Sequence, residues 1–226
     1  MDLKVIYEDG SIIAVNKPAG ITTIPGNDQP RAQSLVGEVE KYTGQKIFVV
    51  HRLDRETSGA IVFAKKPEAH RNINLQFDQR KVEKYYLALV EGKCEFDEKE
   101  INIPLSKSKS RSKKPALASK GLEAITRIKV LKRFADYTLL EVIPVTGRRH
   151  QIRLHLKAIG HPLAYDRLYG KKEPLTMDVV TGKPDDESIV LERMPLHSKR
   201  ISFLHPETGE KITIEAGLLE DMALLC

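Results

Sequence analysis

Short apolar runs separated by turn-forming residues dominate the chain, and each such run reads as a strand. Segments 5–7 and 12–15 flank Glu8, Asp9, Gly10 and Ser11 as a hairpin. Segment 47–50 predicts a strand, Thr57, Ser58 and Gly59 a turn, and 60–64 a second strand. Segment 86–90 alternates as a strand, 125–130 and 137–142 form a hairpin pair around Phe134, Ala135 and Asp136, and 201–204 with 211–214 close the chain as another. Helical spacing occurs in three places. Ser34 starts a helix to about Tyr42, stopped by Thr43 and Gly44. A second follows Pro67, with Ala69, Ile73, Leu75 or Gln76, and Phe77 making an apolar face through Arg80. A third is N-capped by Thr146, runs to Ala158 and stops at Gly160, with Pro162 beyond. It should carry Arg149 and Arg153 on one face and Ile152, Leu156 and Ile159 on the other. The fold expected is α/β (α+β): a mixed, mostly antiparallel sheet with flanking helices, in a single domain spanning 1–226 and without internal repeats.

Composition narrows the classes. With 41% apolar residues in 226, the chain can build a core. It has no run of even ten apolar residues, so no spanning helix is expected. The first residues lack the pattern of a secretory signal. Cys94 and Cys226 read as free thiols of a reducing compartment, and the expected location is the cytoplasm. Net charge is +6, from 37 Lys and Arg against 31 Asp and Glu. Between Pro104 and Gly121 stand Lys107, Lys109, Arg111, Lys113, Lys114 and Lys120 with no acid, a surplus equal to that of the whole protein. This predicts an exposed loop at about 104–121 that either contacts phosphates of a partner or simply adds solubility. Arg148, Arg149, Arg153 and Lys157 make a second acid-free cluster.

The chemistry points to His51, Arg52, Leu53, Asp54, Arg55, Glu56, Thr57, Ser58 and Gly59, where a carboxylate sits between two arginines on the connection between two buried strands. Alone, Asp54 could be an ion-paired loop carboxylate. The nonapeptide, however, resembles the catalytic signature of RluA-type pseudouridine synthases, which isomerise uridine in structured RNA. Further segments agree in order. Val15, Asn16, Lys17, Pro18, Ala19 and Gly20 resemble the family's N-terminal element, and 84–92, from Lys84 through Tyr85 and Tyr86 to Gly92, its second motif. Segment 144–155, from Pro144 to His155, resembles the third. Gly160, His161, Pro162 and Leu163, then Asp166, Arg167, Leu168, Tyr169 and Gly170, continue that block, and Leu196 with His197 matches a late leucine–histidine pair. The resemblance runs from about residue 5 to about residue 216. Several members carry a small RNA-binding domain ahead of the catalytic one, and this chain is expected to lack it.

The resemblance implies that Asp54 is the nucleophile, attacking either the base or the ribose, with Arg153 as its paired cation and Tyr86 stacking on a flipped uracil. Arg153 could instead contact phosphate. Tyr85 should point to the opposite strand face. Arg52, Arg148, Arg149, Lys107, Lys109, Arg111, Lys113 and Lys114 are candidate RNA contacts, and Leu196 a pocket wall. His197 reads as structural. Isomerisation imports no group, so no cofactor is expected, and no phosphate loop, dinucleotide fingerprint or zinc spacing is visible. His150, His155 and His161 lack the spacing of a metal site. Three rivals differ in kind: an RNA-binding protein without catalysis, a hydrolase with an aspartate nucleophile, and a structural ribosome-associated protein. A glycosidase would need a second carboxylate, and none stands out beside the motifs. Ribosomal and transfer RNA both remain open as partner, and a monomer is the default.

Overall fold

The computed structural model describes residues 3–26, 29–107, 115–182 and 186–226. In chain order its elements are β1 (Val5–Glu8), β2 (Ile12–Lys17), α1 (Leu35–Thr43), β3 (Phe48–Val49), β4 (Ser58–Ala64), α2 (Pro67–Asp78), β5 (Glu83–Glu91), β6 (Glu98–Asn102), β7 (Ile125–Arg133), β8 (Tyr137–Pro144), α3 (Gln151–Ala158), β9 (Leu175–Thr176), α4 (Met177–Thr181), β10 (Ile189–Leu191), β11 (Leu196–Leu204), β12 (Lys211–Glu215) and α5 (Glu220–Ala223). They form two compact units, Met1–Lys84 with His197–Leu218, and Tyr85–Leu196 with Leu219–Cys226. Strand pairing is mostly antiparallel, as the apolar pattern predicts.

In the first unit β2 is buried along its whole length and pairs antiparallel with β1 and with β4. β3 and β11 pair with opposite ends of β4, β3 antiparallel at Ala64 and β11 parallel at Ser58. β12 continues antiparallel from β11. Ile12, Ala14, Val62 and Ala64 pack with Ile201, Phe203 and Ile214 and with Ala69 and Ile73 of α2. Helix α1 has the expected ends: the Ser34 hydroxyl accepts from Gly37 N, and Gly44 caps at φ 66°. On α2 the buried choice is Gln76, whose amide accepts from Leu204 N and donates to Leu204 O, while Leu75 is exposed. That helix ends at Asp78, short of Arg80.

The second unit is an antiparallel meander in the order β5-β8-β7-β6, with a separate β9–β10 pair. Leu89, Leu139, Ala164, Tyr165 and Leu191 build its core. Strand β6 escapes a reading based on alternation because only Ile101 of its residues is buried. Its charges serve in cross-strand pairs instead, Glu98 with Lys129 and Glu100 with Arg127.

Three local expectations are corrected. The turn before β4 lies at Arg55 and Glu56, because Ser58 already pairs within the sheet. Helix α3 begins at Gln151, four residues later than a Thr146 cap would place it. Thr146 is not its cap: the Thr146 hydroxyl donates to Gln151 Oε1, and His150 turns left-handed at φ 55°. Arg149 therefore sits in a turn and does not share a helix face with Arg153. Third, the segment expected to be an exposed loop has a buried stem. Leu105 is enclosed and forms main-chain bridges with Leu117 and Leu122, and Ser106 N donates to Ala116 O. Lys107 and Lys120 are exposed. Lys109, Arg111, Lys113 and Lys114 lie outside the described residues.

Candidate active site

Asp54 opens a tight turn: its carbonyl accepts from Thr57 N at 3.1 Å. The turn is fastened from below by Lys17, whose ammonium is fully enclosed and donates to Pro18 O, Arg55 O and Thr57 O at 2.9, 2.9 and 2.7 Å. Three carbonyl acceptors match the three donors of an ammonium, which is what makes burying it tolerable. Gly20 N also donates to Arg55 O, and Arg55 Nε returns a bond to Gly20 O. On the other side the Thr23 hydroxyl donates to Leu53 O and accepts from Leu53 N. The segment containing Pro18 and Gly20 thus acts as a mould for the Asp54 turn. Asp54 itself is half-buried, and Arg52 and Arg55 are exposed.

The strand that follows is equally constrained. Ser58 Oγ lies 2.9 Å from His197 Nδ1, and both residues are buried. Gly59 has φ 109°, and a Cβ there would lie 2.3 Å from Ser198 O. Only glycine permits this crossing.

Just upstream, His51 Nε2 accepts from Val62 N at 3.0 Å, which places the ring proton on Nδ1. Burial, with the charge of Lys84, lowers the His51 pKa to about 3, so the ring is neutral. The ring lies 5.3 Å from the Phe77 ring, and Lys84 Nζ lies 5.9 Å from the same ring. Burial lowers the Lys84 pKa to about 8.

In the second unit Tyr86 stands opposite Val142 and is 8% exposed, while Tyr85 is half-buried. Arg153 is enclosed and makes a two-point bond to Asp166, Nε to Oδ2 at 2.8 Å and Nη2 to Oδ1 at 2.7 Å. Asp166 also accepts from Leu168 N and Tyr169 N. Burial pushes the Asp166 pKa up, but Arg153 and these backbone groups together hold it below the usual carboxylate value. The Tyr169 ring lies 4.9 Å from the Arg153 guanidinium, and its hydroxyl bonds His150 Nδ1 at 2.8 Å. The expectation that no second carboxylate accompanies the motifs is therefore corrected by Asp166. Its signal was its place in the third motif block, followed by the turn of Leu168, Tyr169 and Gly170.

The remaining candidates separate by exposure. Arg148 and Arg149 are exposed, and Arg148 Nε donates to Glu123 O. Leu196 is buried. His155 is engaged by Thr126 Oγ1 and Ile103 O, and His161 by Glu91 O. Among the described residues no three His, Cys, Asp or Glu side chains converge on a metal position, and no helix is long and apolar enough to cross a membrane.

A carboxylate on a main-chain-clamped turn, carried by a mixed and mostly antiparallel α/β fold with exposed arginines, defines a class of carboxylate-bearing enzyme scaffold. Comparison with known proteins makes the class specific. The family described as RNA pseudouridylate synthase matches residues 11–158, and the chain belongs to that family, in its RluA-type branch. It is 37% identical over 99% of its length to ribosomal large subunit pseudouridine synthase D of Nitrosomonas europaea. It is 36% identical over 91% of its length to dual-specificity RNA pseudouridine synthase RluA of Vibrio cholerae. It spans 64% of the first of these relatives and 79% of the second. The solved structure of human RNA pseudouridylate synthase domain containing 4 has the same fold, with a TM-score of 0.74, 20% identity, and coverage of 97% of this chain and 90% of that one.

Proposed function

We propose that this protein is an RNA pseudouridine synthase, an isomerase that detaches the uracil of a chosen uridine, turns it and rejoins it through carbon, working on RNA in the cytoplasm. The observation that carries this reading is the Asp54 turn, held by Lys17, Gly20 and Thr23 through main-chain bonds. A nucleophile must be aimed, and a turn fixed at both ends aims it without spending binding energy on ordering a loop. Tyr86 is assigned to stack on the extruded base, an interaction worth about 1–3 kcal/mol that offsets part of the cost of unstacking. Arg153 is assigned as the cation of the nucleophile, and Leu196 as an apolar wall. Arg52, Arg148, Arg149 and Lys107 are assigned to the phosphates, with Lys109, Arg111, Lys113 and Lys114. Relatives named for the large ribosomal subunit make its RNA the first substrate to test, ahead of transfer RNA.

Asp166 does not revive the glycosidase reading. A general acid must hold a proton at working pH, and Asp166 is kept ionised by the guanidinium it grips.

Asp54→Asn is expected to abolish pseudouridine formation while leaving RNA binding intact. Mapping pseudouridine in total RNA from cells lacking the gene, complemented with either form, tests this. A site that returns with Asp54→Asn removes the nucleophile assignment. Binding with no modified site in any RNA, in cells or with purified protein, favours the binding-only alternative.

A further inference from the structure

Lys84 and His51 have no place in the chemistry assigned above, yet both are unusual. Lys84 is a half-buried ammonium that makes no ion pair among the described residues. Its sequence neighbour Glu83 is already engaged by Lys211 at 2.9 Å. The Lys84 ammonium lies 5.9 Å from the centre of the Phe77 ring. Partial desolvation without a counter-charge is unfavourable for an ammonium. It is relieved when an anion arrives.

His51 supplies the complementary half. Because Nε2 accepts the Val62 amide, the ring can present only Nδ1–H, a donor of fixed tautomer. The ring stays neutral, so it hydrogen-bonds an anion without adding a second repelling charge next to Lys84. Phe77 places the two groups together, since both lie against its ring. Three residues of extended chain span at most about 10 Å, so the His51 backbone lies within that distance of the Asp54 backbone.

We infer that His51 Nδ1–H and the Lys84 ammonium, held against Phe77, form a phosphate site that seats one phosphodiester of the RNA next to the target nucleotide. The inference deepens the proposed function and rests on its reading of RNA as the substrate. Lys84 supplies the charge as a point cation, and His51 supplies direction.

The test uses the full chain at neutral pH, where Lys84 is protonated. Titration with inorganic phosphate, followed by the histidine ring nitrogens and labelled lysine side chains in NMR, should shift His51 Nδ1 and Lys84 together. Lys84→Met, which keeps the contact with Phe77, should lose the response. In RNA binding, Lys84→Met should lower the slope of log affinity against log salt by ~0.7–0.9, the loss of one phosphate contact. Lys84→Arg should restore it. If phosphate moves neither group, or Lys84→Met leaves the salt slope unchanged, the inference is overturned. A response to inorganic phosphate without any change in RNA slope likewise rejects the RNA assignment. Pseudouridine formation is scored separately: wild-type protein that shows the Lys84-dependent slope but forms no product would overturn the enzyme reading and leave the phosphate site standing.

Discussion

Without the Arg153 guanidinium, the Asp166 carboxylate would remain buried with only two backbone amides to hold its charge. Breaking a buried pair from one side costs roughly 3–5 kcal/mol. Arg153→Ala is therefore expected to lower the urea midpoint by about that stability as well as reduce activity. An unchanged midpoint would show that Asp166 finds another partner. The sequence signals Arg153 as a site residue but cannot reveal its grip on Asp166, because the two are 13 positions apart and joined by a turn with no periodicity. Lys17 is hidden for a similar reason. A lysine at the end of an apolar run looks like the exposed end of a strand, and only the folded turn supplies its three carbonyls.

At the level of elements, the crossing of β4 and β11 is the tightest constraint. Both pair parallel at Ser58 and Gly59, and the positive φ of Gly59 leaves no room for a side chain. Gly59→Ala combines a disfavoured backbone with a clash against Ser198 O, and should destabilise by at least about 2 kcal/mol. Thermal unfolding checks this, and a midpoint within a degree of wild type would contradict the packing. Strands β2 and β4 of the first unit were legible because their apolar runs are fully buried. The start of α3 was not. Capping there comes from inside the helix, where Gln151 Oε1 accepts from both Arg148 N and the Thr146 hydroxyl. A rule that looks for a Ser or Thr cap ahead of the helix finds Thr146 and places the start too early.

Across the whole molecule, pH response follows from groups whose protonation differs between folded and unfolded chains. His51 and His155 have folded pKa values below the unfolded value of about 6.5, each lowered first by burial. In acid the unfolded chain therefore takes up protons first, and stability present above about pH 6.5 declines as pH falls, for His51 down to about 3. Asp166 adds a second loss below about pH 4, as its lowered pKa is approached. Lys84 acts at the other end: with a folded pKa of about 8 against 10.5, it makes the fold more stable as pH rises through that window. Urea midpoints at pH 5, 7 and 9.5 should thus increase in that order from these groups, and Lys84→Met should flatten the step above pH 8. A midpoint at pH 5 equal to that at pH 7 would mean that His51 and His155 charge freely in the fold. At this scale the sequence showed the fold class and the order of the motifs. The basic surplus was legible as charge, but its anchorage was not, since Leu105, Leu117 and Leu122 sit among lysines and serines and form no run.

The first unit takes its strands from both Met1–Lys84 and His197–Leu218, and this sets an order of events during synthesis. At about 5–20 residues per second, roughly 7 to 28 seconds separate emergence of β4 from emergence of β11. Throughout that interval the Ser58 end of β4 lacks its parallel neighbour, and Ser58 lacks His197. The Lys17 clamp, whose donors and acceptors all lie before residue 58, can close without waiting. The nascent chain is thus able to shape the turn that carries Asp54 well before the strand behind it is secured.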